Sequence, residues 1–216
     1  MLLTGFQSYG GRAVNPAEEV VKALDGEEIA GRRVAGRTLP VNYAELAPRI
    51  EALISDTAPQ AVICLGLWPG EPMIRLERIA VNIADFEIAD NLGAIVRGPV
   101  VEEGAAAYPA TLPIHAIQDR LLGAGIPARL SGSAGNFLCN ALMYHALRAC
   151  AERGPAPACG FIHLPYLPEQ VAGMVQDTRE EVRFELHQRG DLASMALETM
   201  IEAIRLAIRT TLETRV

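Results

Sequence analysis

A run of small residues, Ser131-Gly132-Ser133-Ala134-Gly135, leads through Asn136, Phe137 and Leu138 to Cys139, where an apolar periodicity of helical spacing begins. A cysteine in the first turn of a helix meets backbone N–H groups that have no partner within the helix, together with the positive end of the helix dipole. Both favour a thiolate, and with a protonated histidine nearby such surroundings lower a cysteine pKa from about 8.5 to roughly 3.5–7.5. The same N–H groups suit the oxyanion that forms when sulfur attacks a carbonyl. Reduced cysteine is also among the most frequently buried residue types. It is therefore the small-residue approach, and not the residue type, that singles out Cys139. Cys64 lies in the middle of an apolar run and Cys150 near the end of a helical segment, where the dipole opposes ionisation, so both fit packing roles.

A thiol that cleaves amides needs a partner to take its proton and pass it to the leaving amine, most often a histidine. Of the four histidines, His163 follows the apolar run Gly160-Phe161-Ile162 and should project near the C-terminal end of a strand, where ligands bind open α/β sheets. Its position alone fits a satisfied core histidine equally well. His115, His145 and His187 stand in contexts suited to surface or capping roles. An acid would fix the imidazole tautomer. Glu77, flanked by apolar residues in Ile74-Arg75-Leu76-Glu77-Arg78-Ile79, could point inward or form an ordinary ion pair with Arg75 or Arg78, and Asp85 and Asp90 compete for the role. The loop Gly5-Phe6-Gln7-Ser8-Tyr9-Gly10-Gly11 lacks both the dinucleotide and the P-loop patterns. A turn that aims Phe6 and Tyr9 into a cleft is the reading it supports.

These residues must be held by elements, and the chain alternates short apolar runs with helical patterns, the mark of an α/β domain with a mostly parallel sheet. Strands are expected at Leu2 to Phe6, Arg33 to Leu39, Ala61 to Leu65, Ala128 to Ser131 and Gly160 to Leu164. Helices are expected at Pro16 to Leu24, Tyr43 to Ser55, Ile114 to Ala124, Phe137 to Ala151 and Ser194 to Thr211. Leu76 to Val96 reads as an extended or hairpin excursion near the active site, closing in the turn Asp90-Asn91-Leu92-Gly93. A chain of 216 residues, half of them apolar, suffices for one domain spanning residues 1–216. A net charge of -7 makes nucleic acid and anionic membrane surfaces poor partners. The opening residues lack a basic leader, and the longest apolar stretch is broken by Glu198, Glu202 and Arg205, so neither export nor a membrane span is expected. The four cysteines show no zinc spacing and are too few for a disulfide framework, which suits a reducing compartment.

Several long segments, in order, carry a resemblance: LLTGFQSYGGRAVNP, GLWPG, LERIAVNIAD, IADNLG, YPATLPI, GIPARLSGSAGNFLCN and GFIHLPYLPEQ. Over most of its length the chain resembles the pyroglutamyl peptidase I (pyrrolidone carboxyl peptidase) family of cysteine peptidases. The resemblance implies a catalytic Glu-Cys-His triad, falling here on Glu77, Cys139 and His163. It implies a three-layer α/β fold with a twisted central sheet between helices, a cytoplasmic location and a homo-oligomer, dimer or tetramer. It also implies a thiol-dependent hydrolase that removes N-terminal pyroglutamate from peptides without metal or organic cofactor. The family's apolar substrate pocket maps to Phe6, Tyr9, Val41, Ile88, Phe137 and Leu138. Such a slot suits an uncharged lactam, whereas an ordinary N-terminal ammonium would be costly to bury there. The family pattern carries arginine after the GLxPG-like segment and again in an Arg-Ile-Pro-Asp-Asn segment, the latter beside the oxyanion region. Glu71, Glu87 and Ala89 depart from that pattern here. Those departures leave open a related thiol amidase acting on another lactam or acyl group, or a weakly active pyroglutamyl-binding protein.

Overall fold

The computed structural model describes residues 1–180 and 192–214, with the side chains of 178–180 left out; His187 falls outside that range. Six strands form the central sheet: β1 (Leu2–Phe6), β2 (Ala35–Leu39), β3 (Ala61–Leu67), β4 (Ile74–Glu77), β5 (Ala128–Ser131) and β6 (Ala158–Leu164). Their spatial order is β5-β4-β6-β3-β1-β2. Neighbours run parallel except at β4–β6, where the pairing is antiparallel. Strand β4 was not expected, because Ile74-Arg75-Leu76-Glu77 carries two charges and does not read as a buried run. It is nevertheless wholly buried, for a reason that lies in the site described below.

Side chains alternate across a strand, and the sheet sorts them into two cores. Ile74, Leu76, Ile162, Leu164, Leu3, Ile63 and Leu65 face α1 (Pro16–Leu24), α3 (Ile114–Gly123) and α6 (Leu197–Glu213). Leu2, Phe6, Val62, Cys64, Cys159 and Phe161 face α2 (Tyr43–Thr57) and α4 (Leu138–Ala151). The alternation therefore sends Arg75, Glu77 and His163 to the α4 side. Helix α5 (Pro168–Glu180) was not expected, since its charged and polar residues hide any apolar face. Elsewhere the expected elements hold to within a few residues at their ends. Among the described residues no helix is long and apolar enough to cross a membrane.

Local chemistry explains the boundaries near the site. Asn15 caps α1, its side chain accepting from Ala17 N–H at 3.0 Å while its amide donates to the Gln7 carbonyl at 3.0 Å, which ties the loop after β1 to the helix. The excursion after β4 forms two short antiparallel ladders, Ile79–Val81 with Ala107–Pro109 and Ala84–Asp85 with Arg97–Gly98. Its turn is organised by Asp90, whose carboxylate accepts from the N–H groups of Tyr43, Leu92 and Ala94. Gly5 is required by contact: a Cβ there would lie 2.5 Å from the Ala17 carbonyl oxygen. Gly5→Ala should therefore destabilise the fold by about 3 kcal/mol, the upper end of the usual overpacking range because backbone cannot give way. Urea denaturation measures it, and an unchanged midpoint would contradict the packing described.

Candidate active site

Cys139 is the second residue of α4, whose N-cap, Phe137, makes no side-chain capping bond. The first-turn N–H groups are thus not taken by a cap. Asn140 fixes the helix start against the neighbouring excursion: its side chain accepts from Val81 N–H at 2.9 Å and donates to the carbonyls of Val81 at 2.8 Å and Ile83 at 2.9 Å. The sulfur of Cys139 rests on β3 where that strand has no side chain. A Cβ at Gly66 would come within 2.9 Å of Sγ and 2.8 Å of the Phe161 ring. Gly66 is the direct cross-strand partner of His163, so the sulfur and the imidazole share one patch of sheet, and both line the same cleft.

His163 is buried and its Nδ1 lies 2.8 Å from Glu77 Oε1. Nδ1 is the protonated nitrogen if Glu77 is a carboxylate, which leaves Nε2 as the basic one. The ring is held edge-on by Trp68, centroids 5.0 Å apart, and against Phe161 at 4.7 Å. Glu77 also accepts from Arg75 Nε at 2.7 Å. The two roles open to Glu77 in the sequence, a partner for the imidazole and an ion pair with Arg75, are therefore both realised through one oxygen. Asp85 is exposed and faces Arg97 at 3.6 Å, and Asp90 organises its turn. Neither has a contact with the imidazole.

Electrostatically, the site departs from the expectation of a thiolate favoured by the helix start. Burial, followed by the negative charge of Glu77, pushes the Cys139 thiol up to about 12. Burial pulls His163 below its ordinary value, and the hydrogen bond that Glu77 accepts from the ring offsets only part of that. Both directions favour a neutral thiol beside a neutral imidazole. Cys139 is nonetheless only partly buried and lines the open cleft, whereas the imidazole is fully enclosed. His145, expected on the surface, is instead buried on α4, and its pKa is lowered to about 4, chiefly by burial. Cys64 is buried and its thiol is likewise raised to about 12 by burial, while Cys150 and Cys159 are buried.

Two adjoining spaces meet at Cys139. A narrow, mostly apolar slot is lined by Phe6, Tyr9, Asn15, Val41, Leu67, Phe137, Leu138 and Cys139. It brings together five of the six residues expected to line a substrate pocket. The sixth, Ile88, is half-exposed in the open cleft of about 390 Å³ alongside, with Trp68, Asp85, Glu87 and His163. Asn15, Leu67 and Trp68 were not singled out in the sequence. Only the N-cap pattern Asn-Pro-Ala-Glu pointed to Asn15, and it signalled capping. Glu87 is exposed at the cleft, whereas Glu71 is buried and held by Arg129 at 2.9 and 2.6 Å. Burial pushes the Glu71 carboxyl up, but Arg129 and then Arg75 more than offset it and hold it below the usual range. A larger cavity of about 560 Å³, lined by Arg32, Pro59, Arg153 and Leu212 among others, lies at the other end of the strands and contains none of these groups. Among the described residues no cluster of His, Cys, Asp and Glu could hold a metal ion.

A cysteine sulfur, an imidazole and a buried carboxyl converging beside an apolar slot in an α/β sheet define the class of a cysteine hydrolase. The family model for pyroglutamyl peptidases matches residues 1–214. The pyrrolidone-carboxylate peptidase of Pyrococcus furiosus is 39% identical over 215 residues, 99% of this chain and 98% of the relative. Pyrrolidone-carboxylate peptidase 2 of Photorhabdus laumondii is 41% identical over 96% of this chain and 89% of its own. The crystal structure of the Pyrococcus furiosus pyrrolidone carboxyl peptidase superposes with a TM-score of 0.92 at 38% identity, covering 100% of this chain and 99% of that one. The chain belongs to the pyroglutamyl peptidase family.

The neutral thiol–imidazole pair has a measurable consequence. Alkylation of Cys139 by iodoacetamide should accelerate with pH well above about 8.5, the ordinary thiol value, because the thiolate fraction is still growing there. A rate already at its plateau near pH ~6 would show a preformed thiolate–imidazolium pair instead.

Proposed function

We propose that the protein hydrolyses the amide bond after an N-terminal pyroglutamyl residue of peptides, with Cys139 as nucleophile, His163 as general base and acid, and Glu77 orienting the imidazole. The observation that carries this reading is the apolar slot that ends at the Cys139 sulfur, with the buried His163–Glu77 pair behind it in a chain of this family. The slot itself measures only about 20 Å³ and opens at Cys139 into the cleft of about 390 Å³, so a compact lactam ring is to be seated across the two, with Phe6, Val41, Leu138 and Phe137 offering apolar contact. An ammonium group would find no carboxylate among the slot's lining residues, which supports discrimination by desolvation.

In the proposed sequence His163 Nε2 takes the thiol proton as sulfur attacks the pyroglutamyl carbonyl, and the uncapped N–H groups at the start of α4 receive the oxyanion. The imidazolium then protonates the leaving amine, and the thioester is hydrolysed by water that His163 activates. Glu77 stays ionised throughout and stabilises the transient imidazolium. Charge thus appears only once substrate has filled the cleft.

Two sequence departures suggested a different lactam or acyl substrate. Glu71 does not support that alternative, since its carboxylate is occupied by Arg129 and is not in the slot lining. Glu87, at the cleft, still bears on which leaving peptide is accepted. The half- to mostly exposed Ile83, Ile88, Leu92 and Ile95, all within one excursion, support a homo-oligomer, because apolar side chains clustered on a surface are more often covered than bare. Four free cysteines support a reducing, cytoplasmic setting.

Cys139→Ala should abolish release from a pyroglutamyl-coumarin substrate and Cys64→Ala should retain it; full activity in the first variant refutes the nucleophile. Glu77→Gln should lower kcat by on the order of 10²- to 10⁴-fold while leaving detectable turnover, since orientation is lost and the nucleophile persists. Gly66→Ala, which must displace the sulfur or the Phe161 ring, should lower kcat/KM at least ~10-fold, as expected when reacting atoms are misplaced by even a fraction of an ångström. Steady-state kinetics on the same substrate reads both.

A further inference from the structure

Glu77 has no exposure to water, and among the described residues only one of its carboxylate oxygens, Oε1, has a hydrogen-bond partner. An ionised carboxylate in such a position needs a counter-charge. His163 does not supply it in the resting protein, because burial favours its neutral form. The cation in contact is Arg75, whose Nε donates to Glu77 Oε1 at 2.7 Å. Arg75 and Glu77 are two residues apart on β4 and so share a face, and Arg75 is the direct cross-strand partner of His163. The register continues outward to Arg129 on β5, opposite Arg75. One row of the sheet therefore reads Arg129, Arg75, His163, Gly66, with the Cys139 sulfur resting on its last member.

We propose that Arg75 is a positioning residue for the Glu77–His163 pair, supplying the counter-charge that keeps the buried Glu77 ionised and aimed at Nδ1, and that Glu71 holds Arg75 in place. This rests on the catalytic roles proposed above. Arg75 is itself over-determined. Its Nη2 donates to the Ser133 carbonyl at 2.6 Å, in the small-residue loop that leads to Cys139. Its guanidinium lies 3.6 Å from the Trp68 ring centroid, and that ring is packed edge-on to His163. The arginine thus joins the acid, the wall behind the imidazole and the loop before the nucleophile. Two arginines directly opposite on neighbouring strands would repel. Glu71 sits between them, bidentate to Arg129 and with Oε2 3.4 Å from Arg75 Nη1. Two cations and two carboxylates then balance, and the imidazole can remain neutral.

The charged and titratable groups around the pair are Arg75 on β4, Arg129 on β5, Glu71 between them, and Cys139 on α4, with Asp85 and Glu87 at the cleft. Removing Arg75 takes away the cation that fixes the Glu77 carboxylate toward Nδ1. It also removes a positive charge that disfavours imidazolium. The second change moves the acid limb of activity upward in pH.

The experiment compares the unmodified protein with Arg75→Met and Arg75→Lys, following thermal unfolding of each. It reads kcat, KM and the pH profile of kcat/KM on pyroglutamyl-coumarin, together with the 15N chemical shifts of the His163 ring. Arg75→Met should lower kcat by on the order of 10²-fold with KM changed less than about threefold, and raise the acid limb by about one pH unit or more. Arg75→Lys, which keeps the charge but not the fork, should recover part of kcat and most of the pH profile. The His163 ring should be in the Nδ1–H tautomer in the unmodified protein at neutral pH and lose that preference in Arg75→Met. A folded Arg75→Met with the original kcat, acid limb and tautomer overturns the proposal. If Arg75→Met does not fold, an Arg75→Lys variant with undiminished kcat overturns it equally. If the unmodified protein fails to turn over the substrate, the peptidase reading fails, and the tautomer measurement, which needs no substrate, still decides the role of Arg75.

Discussion

The sulfur of Cys139 can stand beside His163 only because the strand beneath it carries no side chain at position 66. With any Cβ there, the sulfur or the Phe161 ring would have to move by several tenths of an ångström. Gly66 and His163 are cross-strand neighbours, so this one absence lets the sulfur rest on the sheet next to the strand position that carries the imidazole. The rest of the fold serves that contact. Helix α4, buried along most of its length, presses its first turn onto the sheet, and Asn140 pins the same turn to the excursion after β4. A site supported by packed strands and a buried helix keeps its geometry better than one carried on loops.

The dryness that results works against preformed charge. An ion pair between thiolate and imidazolium would have to be maintained in a corner where burial raises the thiol and lowers the imidazole. A neutral pair avoids that cost, and the neighbouring Glu77 is already contacted by an arginine. In the mechanism proposed above, the imidazolium forms against a carboxylate already hydrogen-bonded to Nδ1, so that little rearrangement accompanies the proton transfer. The helix start retains a use in this arrangement, since its uncapped N–H groups can receive charge on the substrate oxygen rather than on the sulfur.

Much of this was legible in the sequence, and the failures share a cause. The strand–helix alternation gave β1, β2, β3, β5 and β6 and most helices because their apolar residues recur at the period of the element. The small-residue run before Cys139 and the strand before His163 were local signals for the two groups that share the cleft. Strand β4 escaped because Arg75 and Glu77 interrupt its apolar pattern, yet those two charges lie inside only because they satisfy each other and the imidazole. His145 was misjudged for a related reason: position on a helix is readable from spacing, but the depth of burial around it is set by elements distant in the chain. Helix α5 escaped for the opposite reason, having too few apolar residues to announce a face.

The same point bears on the positions where the chain departs from its family's pattern. A reversed charge after the GLxPG-like segment suggested altered catalysis when judged alone. In three dimensions Glu71 is buried 3.4 Å from Arg75 and closely paired with Arg129. A lone buried acid would be costly, and two facing arginines would repel, whereas the set of Glu71, Arg75, Arg129 and Glu77 carries no net charge. The departure at position 71 is therefore one part of a balanced group whose other parts lie up to 58 residues away in the chain. Glu87, by contrast, lines the open cleft, so of the two reversed positions it is the one that borders the space beside Cys139.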